Sequence, residues 1–455
     1  MSATDSDPLL QFVRTVSRLS GRVAGSAGER QAQELVAGRL HTLGFDVVVE
    51  GAVCPPPPPG VLALHAGFGL LGLLLTWFAP LLAATIGGVV GLSFWGELRG
   101  APLILQRLLL RRISGNMVGR LERPADGPTR SDADRSAIPK IIVTAHADVA
   151  RSGTFFQPWF RRLWDEREGV WEPEDEGSAP TRRSRLTVHP GTIVLVAAVV
   201  QAIVALGVAA GLGGIVVPVA LGAAGIVHLG LALLAVDWWR SPPVEGAIDN
   251  GSGLSVLVSL AEELASDPLE TAELWMVATG DREPDAGGME AFLFQFGTLL
   301  DPRNTAIVNL DDVGRGRLHV GTSEGRWDRL PYRPLVVGLA ERLARSGEFG
   351  EVGLADLTGR TDAGPATEAG FSAVTLTGLL DGRSPPELHT AQDRFDAVEA
   401  DTLQAARDFA LALVRRLDEE LGVAPTPSQR TVTSRRPSSL DAGVLKTEDA
   451  AVESP

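Results

Sequence analysis

A single cysteine, Cys54, occurs in 455 residues. That excludes an internal disulfide framework and any site built from several thiolates. Lysine is almost as scarce: Lys140 and Lys446 are the only two, so the cationic complement is arginine. Acidic residues outnumber basic ones, 56 to 41, for a formal net charge of -15. A general nucleic-acid binder needs a basic face, so that class is excluded. Residues 1–7 are polar and acidic and lack the basic start and apolar run of a secretory leader. Charge itself is missing from two long stretches, 61–95 and 192–236, which contain no Asp, Glu, Lys or Arg.

Each uncharged stretch reads as a membrane hairpin, since one crossing needs about 20 apolar residues. The first divides into 61–78, a break at Pro80, and 81–95. The second divides into 192–212, a break at Gly213-Gly214, and 215–236. Residues 81–95 are short, which leaves a re-entrant or tilted arrangement open. Both hairpin tips lack Lys and Arg, whereas the opposite flanks carry Arg99, Arg107, Arg111, Arg112, Arg182, Arg183, Arg185 and Arg240. By the positive-inside bias those flanks, and the segments attached to them, are expected in the cytoplasm at the inner membrane. His65 and His228 lie within the spans and are expected to be packing or interfacial residues.

The rest of the chain alternates helical and extended patterns. Helices are expected at 28–43, 253–265, 289–297, 334–345 and 400–421, and strands at 45–53, 116–120, 141–145, 272–279 and 305–309. His319 falls on a further strand and reads as structural. Such alternation implies an α/β fold, a mixed, mostly parallel sheet flanked by helices, with four transmembrane helices inserted as two hairpins. The expected organisation is a discontinuous soluble domain from 8–53, 114–150 and 243–422. Hairpins fill 60–98 and 191–237, and Pro55 to Pro59 form a stiff spacer into the first. Segment 151–190 is aromatic and charged and is expected at the membrane surface. Residues 1–7 and 423–455 read as disordered.

Five potential metal ligands stand in order along the chain, each where a buried strand is expected to end: His146, Asp249, Glu283, Asp311 and His389. Two imidazoles and three carboxylates suit a pair of zinc ions bridged by one carboxylate. In open α/β sheets, functional residues gather at the carboxyl ends of strands.

The segments carrying these residues resemble the di-zinc exopeptidases of metallopeptidase family twenty-eight, which includes secreted bacterial aminopeptidases. The resemblance rests on Gly25-Ser26-Ala27-Gly28-Glu29-Arg30 before an amphipathic helix and Leu43-Gly44-Phe45. It rests also on His146-Ala147-Asp148, on Gly246-Ala247-Ile248-Asp249-Asn250-Gly251-Ser252-Gly253, on Asn309-Leu310-Asp311, and on His389-Thr390-Ala391-Gln392-Asp393. It implies a zinc-dependent hydrolase, with Asp249 bridging two zinc ions. His146 and Asp311 would complete one site, Glu283 and His389 the other. Asp148 would orient an imidazole ligand. The expected partners are a peptide substrate and the lipid bilayer.

One position departs from the resemblance. The residue before the ligand Glu is the proton-abstracting Glu in active members, and here it is Arg282. Arginine stays protonated and cannot act as a base. A one-residue shift would make Glu283 the base, but would put Pro284 in the ligand position and lose the spacing to Gly288. Asp281 is a candidate surrogate base. The alternatives to an active aminopeptidase are a weak or inactive zinc-binding homologue serving as a membrane-bound binding protein, and a cyclase or amidohydrolase on the same scaffold.

Overall fold

Lys140-Ile141-Ile142-Val143-Thr144-Ala145-His146 is buried without interruption. A run apolar on both faces is what a central parallel strand requires. In the computed structural model, which describes residues 7–100, 103–122, 137–162, 169–171, 190–283, 286–326 and 328–423, this run is strand β3. The strands are β1 (Asp46–Cys54), β2 (Arg112–Leu121), β3 (Lys140–His146), β4 (Gly169–Trp171), β5 (Glu273–Thr279), β6 (Thr305–Leu310), β7 (Arg317–Glu324), β8 (Leu330–Pro331), β9 (Gly353–Asp356) and β10 (Ser372–Leu379). They form one mixed sheet in the order β1-β2-β5-β3-β6-β10-β7-β9-β4, with β8 on β7. Its centre, β5-β3-β6-β10, is parallel.

The helices are α1 (Pro8–Ser17), α2 (Ala27–Thr42), α3 (Pro58–Leu75), α4 (Pro80–Leu98), α5 (Pro158–Arg161), α6 (Pro190–Ala209), α7 (Val216–Arg240), α8 (Gly253–Ser266), α9 (Gly287–Phe296), α10 (Pro334–Arg345), α11 (Ala363–Glu368) and α12 (Ala400–Val423). Helices α2, α8, α10 and α12 cover one face of the sheet, α9 and α11 the other. The start of α2 follows from its sequence. The Ser26 hydroxyl accepts from the Glu29 amide (3.1 Å), while the Glu29 carboxylate accepts from the Gly25 amide (2.7 Å). This is a variant of the reciprocal capping box.

Helices α3, α4, α6 and α7 are long and apolar enough to cross a membrane. They form a bundle in which α4 packs along α6 and α3 along α7. Its polarity is the reverse of a soluble bundle's. Leu74, Leu81, Ile203, Ile226 and Leu233 point outward, while Ala66, Ala83, Ala198 and Ala205 are buried. Small residues inside and large apolar residues outside are the pattern of helices packed in lipid. Two polar pairs lie within the bundle: His65 Nε2 with Ser93 Oγ (3.0 Å), and His228 Nε2 with Gln201 Oε1 (3.0 Å). Gly69 leaves room for the His228 ring, which a Cβ there would meet at 2.5 Å.

Three expectations change in detail. Pro80 does not interrupt a span but starts α4, and the second half of hairpin 1 extends to Leu98, 19 residues in all. At about 1.5 Å per residue that is close to a full crossing. The proline spacer is shorter than expected, because Pro58 and Pro59 already open α3, where proline is tolerated. Strand β10, fully buried at the sheet centre, was not among the expected strands. Residues 123–136, which hold all but the last residue of a polar loop expected at 126–137, residues 163–168 and 172–189 of the juxtamembrane segment (including Trp164, Arg182, Arg183, Arg185 and His189), residues 1–6, Pro284 and the tail beyond 423 lie outside the described residues.

Candidate metal centre

Two of the five candidate ligands sit where a strand ends, and three do not. His146 is the last residue of β3, and Asp311 follows β6 directly. Glu283 lies in the loop after β5, and Asp249 in the kinked entry to α8. His389 occupies a turn well past β10 with a left-handed backbone, φ 58°. The chain nevertheless brings all five together. His146, Asp249 and Asp311 form one group of converging donors, and Asp249, Glu283 and His389 form a second. Asp249 belongs to both. His146 Nε2 lies 2.9 Å from Asp249 Oδ1 and 3.3 Å from Asp311 Oδ1, and His389 Nε2 lies 2.9 Å from Asp249 Oδ2 and 3.2 Å from Glu283 Oε2.

These close approaches are not ordinary hydrogen bonds. His146 Nε2, both Asp249 carboxylate oxygens and Asp311 Oδ1 are buried with no hydrogen-bond partner. Buried polar atoms left in that state are costly, and here they face one another. The arrangement is explained if each group of lone pairs converges on a cation. Charge agrees with geometry. Burial opposes protonation of His389, yet Glu283 and Asp249 push its pKa up to about 10. Burial likewise opposes it at His146, and the carboxylates of Asp148, Asp249 and Asp311 still hold that imidazole well above its usual value. The cluster demands positive charge, and the mixed imidazole and carboxylate donors fit two zinc ions.

Asp148 backs His146: its Oδ1 lies 3.3 Å from Nδ1, and its backbone oxygen 3.1 Å away. The same carboxylate accepts from the Arg282 and Glu283 amides (3.1 and 3.2 Å). It therefore ties the β3 end to the Glu283 loop. Asp312, adjacent to Asp311, joins neither group.

Arg282 lies across the top of the cluster. One guanidinium nitrogen pairs with Glu283 Oε1 and the other with Asp311 Oδ2 at 2.7 Å. Each outer carboxylate thus gives one oxygen to Arg282 and keeps the other for the centre. Burial opposes the charge, but Asp311 and Glu283 hold the guanidinium protonated. Asp281 turns away. Its carboxylate pairs with Arg112 and lies by Cys54, and burial raises its pKa to about 8 although Arg112 opposes the shift. Asp281, considered above as a surrogate base, has a left-handed backbone (φ 50°), is held in its ion pair with Arg112 and belongs to neither donor group.

Several residues support the site; Arg22 and Asp362 had no sequence signal, whereas Glu29, Asn250 and Asp393 lie in the segments that carry the resemblance. Arg22, fully buried, donates to the backbone oxygens of Ala147, Glu245 and Gly246. It clamps the His146 and Asp249 segments together. Asp393 accepts from the Ile248 and Asp249 amides (2.7 and 3.2 Å), and Asn250 joins that turn to Leu310. Glu29, at the α2 cap, also accepts from Ser114 and the Asp281 amide. Burial and Asp148 lift its pKa to about 7. Behind β5, Asp362 accepts from Thr279 (2.6 Å). The Phe156 ring stands edge-on to His389, 4.7 Å between centroids.

Comparison with known proteins bears on the fold. No curated protein matches the chain. Among solved structures, the zinc aminopeptidase BSAP from Bacillus subtilis is 15% identical, with a TM-score of 0.51 over 90% of this chain and 93% of that one. LapB from Legionella pneumophila is 12% identical, with a TM-score of 0.48 over 91% of this chain and 73% of its own. A Zn-dependent exopeptidase from Parabacteroides distasonis is 12% identical, with a TM-score of 0.47 over 90% and 97%. At these identities the BSAP likeness establishes the fold, a zinc-exopeptidase-like α/β sheet. The model of Peptidase family M28 matches residues 233–414, a span that holds Asp249, Glu283, Asp311 and His389, while His146 comes from β3 before it. Over that span, two-fifths of the chain, the sequence is similar to peptidase family M28.

Proposed function

We propose that this protein is a membrane-anchored di-zinc exopeptidase that removes residues from peptide N-termini. The observation that carries the reading is the shared Asp249, one carboxylate with each oxygen 2.9 Å from a different imidazole. His146 and Asp311 would hold one ion, and Glu283 and His389 the other. Two zinc ions there would polarise a carbonyl and acidify water. Asp148 keeps the His146 ring in its ligating orientation. Phe156 bounds the His389 side. The apolar bundle anchors the chain, with its arginine-flanked ends and soluble segments in the cytoplasm.

Arg282 sets the rate. It cannot accept a proton, and it occupies one oxygen on each outer carboxylate. Proton transfer therefore lacks a dedicated base, a contribution typically worth about 10²–10⁴-fold. The same observation favours a second reading, in which the centre binds peptides without cutting them.

Metal analysis and a panel of aminoacyl amides separate the two. Purified protein should carry about two zincs per chain, as a two-metal site requires, and metal-free protein would end the di-zinc reading. Wild-type turnover that Glu283→Ala abolishes supports the exopeptidase. A silent wild type with activity gained in Arg282→Glu supports the binding protein. Protease cleavage of the C-terminal tail from outside intact cells would overturn the cytoplasmic orientation.

A further inference from the structure

The Phe156 ring touches two things at once: His389 of the metal centre at 4.7 Å between centroids, and Trp238 at 5.2 Å. The His389 and Trp238 rings can therefore be no more than about 10 Å apart. Trp238 lies in the last turn of α7, the final apolar helix. That helix has 25 residues, about 37 Å at 1.5 Å each, against a hydrocarbon core of about 30 Å. Its last turn, with Asp237 and Arg240, consequently emerges at the interface, where tryptophan is favoured. The metal centre thus sits one aromatic ring away from the bilayer surface.

The segment bearing Phe156 is fastened to this helix end. The Thr154 amide donates to Asp237 Oδ2 (2.7 Å), the Ser152 amide to Pro242 O (3.0 Å), and the Arg151 guanidinium to Ser241 O (2.9 Å). Aromatic contacts continue outward from Phe156 to Phe155, Phe160 and Trp159, and Trp159 is 60% exposed. Access to the ligands lies on the same side. The His389 side chain is 20% exposed, whereas those of His146 and Asp249 are 1% exposed.

We propose that the substrate is the N-terminus of a polypeptide held at the bilayer surface, with an apolar first residue seated against Phe156. The proposal rests on the exopeptidase reading above for the bond that is cut, but not for where the chain binds. A polypeptide confined to the surface is presented to this centre at a high effective concentration. A freely soluble peptide gains nothing from the position. An aromatic wall continuous with the interfacial tryptophans suits a side chain that already partitions there.

The test uses the full chain with zinc in phosphatidylcholine vesicles. Peptides beginning with Leu or Gly are made free or C-terminally diacylated for stable anchoring, and each also carries an uncleavable first bond in a second version. The expected result is that the anchored Leu peptide is bound and cleaved at least about tenfold better than its free form. Phe156→Ala should erase the preference for Leu over Gly among anchored peptides. The exposed-rim variant Trp159→Ala, which disturbs no buried packing, should weaken that preference severalfold. Equal binding of anchored and free peptides overturns the proposal, as does a Leu preference indifferent to both variants. If neither peptide is cut while the anchored one still binds better, the exopeptidase reading fails and this one stands.

Discussion

Replacing Arg282 by Met removes a cation while keeping a side chain of similar reach and apolar bulk. The guanidinium holds two ion pairs, to Glu283 and Asp311, whose side chains are 10% and 3% exposed. Breaking such a buried pair from one side costs about 3–5 kcal/mol, because the partner carboxylates stay buried without compensation. In metal-free protein, Asp249, Glu283 and Asp311 would then share only two imidazolium charges. Taking about 3 kcal/mol, and about 2–4 °C per kcal/mol for a domain of this size, the unfolding midpoint should fall by roughly 6–12 °C. Zinc should reverse most of that loss, since ligand binding to the folded state alone stabilises it. The measurement is thermal unfolding of detergent-solubilised wild type and Arg282→Met, each with chelator and with excess zinc. An equal deficit in both conditions would refute the reasoning, because it would mean that Arg282 acts through packing and not by balancing the ligand charge.

Three further outcomes follow from other parts of the structure. Asp249→Asn should bring bound zinc from about two per chain to nearly none, since both donor groups share that carboxylate; retention of two zincs would contradict the shared role. Glu324 is buried, and desolvation raises its pKa to about 7 although Tyr332 and Thr361 donate to it. Its folded pKa lies above the unfolded 4.5, so its contribution is complete below pH 4.5 and is lost as pH rises to about 7, by about 3 kcal/mol in total. Glu324→Gln should flatten the stability profile across that window, and an unchanged slope in denaturant titrations at pH 5 and 8 would count against it. Gly288→Ala would drive a Cβ into the Gly280 carbonyl oxygen; with backbone on both sides, a loss of about 3 kcal/mol or more and displaced Glu283 are expected, checked by unfolding and zinc content.

The central strands were legible because buried parallel strands must be apolar on both faces, and 141–145, 272–279 and 305–309 show that directly. Strand β10 hid behind Thr375, Thr377 and Gly378, whose polarity breaks the pattern. In the structure Thr375 is satisfied by Asn309, Tyr332 and Thr361, a network that no local window reveals. The five ligands were legible as residue types in order. Their strand-end placement was not, since the backbone at His389 and Asp249 is irregular, and the Asp249 turn is held by bonds to Asp393, Leu310 and Arg22 in distant segments. The pairing of Asp281 with Arg112 had no local signal, because the two residues are far apart in the chain. The contact of the aromatic segment with His389 had no local signal, because it joins residues far apart in the chain.

The insertion points of the two hairpins constrain how the protein is made. Hairpin 1 lies between β1 and β2, and hairpin 2 between β4 and β5. Strand β5 joins β2 to β3, and β4 pairs only with the later β9, so β1-β2, β3 and β4 remain unconnected until residues beyond hairpin 2 have been synthesised. The ligands divide at the same place: His146 precedes hairpin 2, and Asp249, Glu283, Asp311 and His389 follow it. Neither the sheet nor the metal centre can be completed before the last apolar helix has emerged. Assembly of the donor cluster therefore waits on the whole of hairpin 2, and a chain that stalls before it presents only His146 of the five candidate ligands.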